Sequence, residues 1–174
     1  MIVCQLRKQP LEVGWAVPPS EVYKINVDGA TSVGGLSGVG VVIRDCRGSI
    51  LVGKSKVLAR SYEAEITKAL AVEEGVLLAR ERALHQIILE IDSLAVVQAI
   101  STRSSHGEVG TVIQGVLVLL ESFCSWKVQH LKRDYNSVAY ELAQLAKGST
   151  ESQIWNGAKL AILQHLLLAN RAKC

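Results

Sequence analysis

Two aspartates stand where chemistry is easily built. Asp28 closes the alternating run Val22–Asp28, in which Tyr23, Ile25 and Val27 face one way and Lys24, Asn26 and Asp28 the other. Asp92 follows a second apolar run, His85–Ile91. Carboxylates at two strand ends suit a hard divalent cation such as Mg2+, which prefers oxygen ligands. Paired ions of this kind activate a water and stabilise the leaving oxygen in phosphodiester cleavage. One aspartate alone carries little weight, because turns and helix starts also use Asp. Asp92-Ser93, ahead of a helical stretch, is open to that plainer reading.

The apolar spacing shows which elements must position the pair. Val22–Asp28, Val39–Arg44 and Ile50–Leu58 read as strands, separated by the Gly/Ser/Thr-rich stretch Gly29–Gly38 and the turn Asp45–Gly48. Short turns between consecutive strands make an antiparallel meander. From Glu65 the spacing changes to steps of three and four through Ala69, Val72, Val76, Ala79 and Ala83, one face of a helix over roughly 62–83. His85–Ile91 is a fourth strand, after which Ser93 caps a short helix to about Ile100. Val109–Phe123 reads as a helix, Ser125–Leu131 as a fifth strand and Asn136–Lys147 as a last helix capped by Asn136. A strand–helix–strand link crosses over right-handedly, which lays the fourth strand parallel to the first. The expected fold is α/β, a mixed five-stranded sheet in βββαβαβα order flanked by helices. Ligands of such sheets gather at the carboxyl ends of the parallel strands, where Asp28 and Asp92 lie.

Residues 1–20 read as an irregular lead-in, 21–150 as one domain and 151–174 as a helical tail. In the tail, Leu160, Leu163 and Leu167 share a helical face, which suits core packing or a protein partner. The chain of 174 residues is 49% hydrophobic, enough for a single packed core. No uninterrupted apolar stretch is long enough to span a bilayer, and Gln5, Arg7, Lys8 and Gln9 stand where a secretory apolar region would be. Cys4, Cys46, Cys124 and Cys174 are too scattered for a zinc site and read as free thiols in a reducing compartment. A cytoplasmic or nuclear protein, neither secreted nor membrane-bound, is therefore expected. The net charge of +3 permits nucleic-acid binding without requiring it.

Four segments, taken together, are more specific than any one carboxylate. They are Lys24-Ile-Asn-Val-Asp-Gly-Ala30, Gly40-Val-Val-Ile-Arg-Asp45, Glu90-Ile-Asp-Ser-Leu94, and Arg133-Asp-Tyr-Asn136 with Val138-Ala139. They resemble the ribonuclease H-like family, and more closely its plant branch related to retroelement reverse transcriptases, over roughly residues 15–157. The resemblance implies hydrolysis of RNA in RNA–DNA hybrids with Mg2+ or Mn2+ held by four acidic residues. Asp28 and Asp92 match the first and third and would be the catalytic metal ligands. The helical position, seven residues before Gly75, is Lys68, and the position on the last helix is Tyr140.

An ammonium about 4 Å from a carboxylate gains roughly 4 kcal/mol at an effective dielectric near 20, before desolvation. Lys68, if it points at Asp28 or Asp92, then competes with a metal. Impaired cleavage with retained hybrid binding is the first expectation. An active enzyme using displaced acids, Glu65 with Asp134 or Glu141, is the second; a protein-interaction module is the third. His130 reads as an ordinary strand histidine. Arg44, Arg47, Lys54, Lys56 and Arg60 form a basic strip on the second and third strands that suits phosphates. By the resemblance alone, Gly29, Ala30 and Thr31 are placed to read 2′-hydroxyls.

Overall fold

The computed structural model describes residues 15–160. β1 (Tyr23–Ala30), β2 (Gly38–Arg44) and β3 (Ile50–Val57) form the meander, each antiparallel to the next. α1 (Ala64–Glu81) then crosses to β4 (Gln86–Ile91), which pairs in parallel with β1. α2 (Leu94–Ser101) and α3 (Gly107–Leu120) lead to β5 (Ser125–His130), parallel to β4. A single 3-10 turn, Arg133–Tyr135, precedes α4 (Ser137–Lys147) and β6 (Gln153–Asn156). The strands are ordered β5-β4-β1-β2-β3-β6.

The mixed α/β sheet flanked by helices is the architecture expected, but it has six strands rather than five. β6 joins the free edge of β3 in antiparallel register, Val52↔Asn156 to Ser55↔Gln153. Its four residues are too few to show a two-residue period, and pairing with an available edge decides their conformation. The tail expected to be helical therefore starts with a strand, and helix begins only at Gly157. Leu160 is fully buried against Gly53 of β3. Leu163, Leu167 and the rest of the proposed partner face lie outside the described residues, as do residues 1–14 of the lead-in.

Packing explains how the layers are held. Ile25 and Val27 of β1, Val41 and Ile43 of β2 and Leu89 of β4 face α1 and join its Val72 and Val76 in the larger core. α3 covers the outer side of α1, so α1 buries Ala71 and Leu78 as well and shows no single apolar stripe. On the other face Val42, Val138, Ala139, Leu142 and Leu160 make a smaller core. α4 lies directly on the β2 backbone: a Cβ at Gly40 would stand 2.1 Å from the Ala139 carbonyl oxygen. That approach fixes where the start of α4 sits beside β1. Among the described residues no helix is long and apolar enough to cross a membrane.

Candidate functional site

β1 and β4 are paired from Tyr23↔Ile87 to Asn26↔Glu90 and then part. Asp28 and Asp92 each lie two residues past the last pair, on the two lips of the opening. The chain leaves β1 toward β2 on one side and leaves β4 toward α2 and β5 on the other, which opens a crevice at the strands' carboxyl ends.

The crevice is filled by side chains of this protein. Lys68 reaches in from α1, its Nζ 2.5 Å from Asp92 Oδ1 and 3.7 Å from Asp28 Oδ1. The Lys68 side chain is 11% exposed, against 4% for Asp28 and 2% for Asp92. Arg133, on the 3-10 turn, brings Nε to 3.0 Å from Asp92 Oδ2 while most of its side chain stays in solvent. Asp28 in turn accepts from the Gly29 amide at 2.8 Å. Burial pushes the Asp28 carboxyl up to about 6, helped by the Asp92 charge and opposed by Lys68, Gly29 and Arg133. Burial also acts to raise Asp92, but hydrogen bonds from Lys68 and Arg133 outweigh it and hold that carboxyl below its ordinary value. Asp92 is the anion at the centre of this cluster, clasped by two cations.

That donor set does not fit a divalent cation. Two carboxylates offer oxygen, but an ammonium stands between them and a guanidinium beside them, and both cations repel a metal. Among the described residues no three His, Cys, Asp or Glu side chains are grouped to hold a metal ion. Glu65 is not brought to Asp28; it remains exposed and accepts from the Ser93 hydroxyl at 2.6 Å. The same hydroxyl caps α2 by accepting from the Val96 amide at 3.2 Å. Tyr140 is partly buried on α4. Asp134 and His130 are exposed, and Glu141 is partly buried on α4.

Other expected positions are rearranged. Asn136 is the residue before α4, yet it makes no side-chain cap. Its Nδ2 instead donates to the Val27 carbonyl at 2.9 Å, tying the start of α4 to β1 beside Asp28. Ala30 is buried, Thr31 is exposed, and Gly29 is where β1 passes α1, since a Cβ there would meet the Thr67 side chain at 2.7 Å. The basic strip does not exist as one surface. Lys54 and Lys56 lie on the α1 face and both pair with Glu74, whereas Arg44 lies on the α4 face. Arg47 pairs with Asp45, and Arg60 stacks on Tyr62. Strands alternate their faces at every residue, so neighbouring basic positions in the sequence separate in space.

Sequence reasoning missed a second polar cluster next to the crevice. Glu90 Oε1 is 3.0 Å from Lys24 Nζ and 2.6 Å from Gln129 Nε2, and its Oε2 accepts from Asn26 Nδ2 at 2.7 Å. Asn26 Oδ1 accepts from Trp15 Nε1 and from Arg44 Nη1, and the Trp15 ring lies beneath both Lys24 and Arg44. The signal was the outward-facing Lys24 and Asn26 on a strand whose other face is apolar. Arg133 was also within a quoted motif, without a role.

This fold and part of the sequence recur in other proteins. RNase H1 from the halophilic archaeon Halobacterium salinarum NRC-1 aligns with a TM-score of 0.68 at 20% identity, over 72% of this chain and 96% of that one. The N-terminal RNase H domain of a Mycobacterium tuberculosis protein, fused to maltose-binding protein, aligns with a TM-score of 0.67 at 21% identity, over 73% and 94%. LC11-RNase H1, in complex with RNA/DNA hybrid, gives 0.66 at 18% identity, over 72% and 96%. At these identities the likeness is one of fold, and the fold is ribonuclease H-like. No curated protein matches the sequence at a significant level. Residues 26–146 match the family described as reverse transcriptase-like, a span that takes in both aspartates, Lys68, Arg133 and Tyr140. The chain belongs to the reverse transcriptase-like family.

Proposed function

We propose that this protein binds RNA–DNA hybrid across the Asp28–Asp92 crevice and has lost, or nearly lost, the power to cut it. The observation that carries this is the Lys68 ammonium seated between the two strand-end carboxylates. A ribonuclease H-like site needs divalent ions to activate water and to neutralise charge on the phosphodiester. Here the Lys68 ammonium and the Arg133 guanidinium supply the positive charge beside the two carboxylates, and neither lowers the pKa of a water as a divalent ion does. Support for nucleic acid as the ligand comes from the fold, from the family and from a structural relative recorded with an RNA/DNA hybrid. Contacts to phosphate would come from Arg133 and Lys132 at the rim of the crevice, where both are exposed.

A labelled hybrid tests this in two steps. Binding should weaken steeply as salt rises, because phosphate contacts release counterions. Cleavage in Mg2+ or Mn2+ should not exceed that of an Asp28→Asn control. Cleavage that is lost in the control would overturn the proposal, and absence of binding at low salt would favour a protein-interaction module instead.

A further inference from the structure

Arg133 is an exposed arginine fixed at one end. Its Nε donates to Asp92 Oδ2 at 3.0 Å, yet 73% of its side chain stays exposed. The acceptor is itself held, because Asp92 is 2% exposed and its Oδ1 takes the Lys68 ammonium at 2.5 Å. A guanidinium donates from Nε and from both Nη groups. Anchoring Arg133 at Nε therefore leaves the Nη edge facing solvent at the mouth of the crevice. That edge matches the spacing of phosphate oxygens. An arginine already fixed in place also gives up less freedom when it grips one.

We infer, resting on the hybrid binding proposed above, that Asp92 is here a positioning residue: it sets Arg133 as a fork for one phosphodiester, a contact that needs no metal ion. The carboxylates do little to oppose the phosphate. Asp28 and Asp92 are 4% and 2% exposed, and the Lys68 ammonium between them offsets their charge. Lys132, exposed beside Arg133, adds a second cation at the rim. Asp134 lines the cavity beside Trp15 instead, and it is not among the groups that act on the Arg133 charge, whereas Asp92 and Asp28 are. The sign of one substitution separates this role from a plain electrostatic one. A carboxylate that only faced the nucleic acid would repel it, and its removal would tighten binding. Removal of a carboxylate that positions Arg133 weakens binding.

The test is fluorescence anisotropy of a labelled RNA–DNA hybrid at low salt, in EDTA and in Mg2+. The parent should bind no more weakly in EDTA. Asp92→Asn should weaken binding about ten-fold, the usual worth of a charge-assisted hydrogen bond, although it removes a negative charge. Arg133→Ala should lose a similar factor, and the double variant no more than either alone. The salt dependence of each should fall by about one phosphate contact. Arg133→Lys, which keeps the charge on an exposed side chain but lacks the fork, should stay several-fold weaker than the parent. Two readouts stand even if Asp92→Asn does not fold: Arg133→Lys, and slow solvent exchange of the Arg133 Nε–H in the free parent. Tighter binding by Asp92→Asn, additive losses, parent-like Arg133→Lys, fast Nε–H exchange or a need for Mg2+ would each overturn the inference and leave hybrid binding intact. No binding by the parent in either buffer would overturn the hybrid reading itself, and this inference with it.

Discussion

At the scale of single residues, the site is decided by where charge is buried. Asp28 is held near 6 in the folded protein against 3.8 for an ordinary aspartate. A raised carboxyl contributes stability below its unfolded value, and that contribution is lost as pH rises through the folded value. Ionised Asp28 therefore costs about 3 kcal/mol at neutral pH. Asp28→Asn removes the cost: its melting temperature should gain on the parent between pH 4 and 7 by several degrees, and not below pH 4. A parallel pH dependence in the two proteins would show that Asp28 ionises freely. Glu90 is the opposite case, a buried anion whose partners are all satisfied. Glu90→Ala leaves Lys24, Asn26 and Gln129 without their acceptor and should cost about 3–5 kcal/mol in urea unfolding. A loss below ~1 kcal/mol would mean that water replaces the carboxylate there.

At the scale of elements, the site exists because strands part and helices come close. β1 and β4 stop pairing at Asn26↔Glu90, and α4 rests on the β2 backbone at Gly40. Gly40→Ala should push α4 off the sheet and destabilise the protein by about 1–3 kcal/mol, read as a lower denaturant midpoint. It should also disturb the Asn136–Val27 tie, visible as a loss of protection at the Tyr140 amide, the first that bonds back to Asn136. Five strands and α1 were legible from spacing, since each runs long enough for a period to repeat, while α2 rested on its Ser93 cap and the expected order allowed one or two helices between β4 and β5. β6 was not legible, because its conformation comes from the edge of β3 rather than from its own four residues. The basic strip misled for a related reason. Arg44, Lys54 and Lys56 are near one another in sequence, but alternation and the turn between β2 and β3 send them to opposite faces.

At the scale of the whole molecule, the fold is a ribonuclease H-like frame with a lysine side chain seated between its two strand-end aspartates. The two strand-end aspartates could be read from sequence because each closes an apolar run, whereas Lys68 stood out only through the family resemblance, seven residues before Gly75. The 2.5 Å contact to Asp92 and the clasp by Arg133 could not, because they depend on how α1 and the 3-10 turn approach the strand ends. The Glu90 network is likewise a product of assembly, since its members come from β1, β2, β4, β5 and the segment ahead of them. The most direct test of the central claim, that the Lys68 ammonium takes the place of a metal, is Mn2+ binding followed by paramagnetic resonance on the parent and on Lys68→Glu. The parent should leave the ion free at concentrations where Lys68→Glu binds it, and the variant's melting temperature should recover as Mn2+ is added. Tight binding by the parent that disappears in Asp28→Asn would contradict the account.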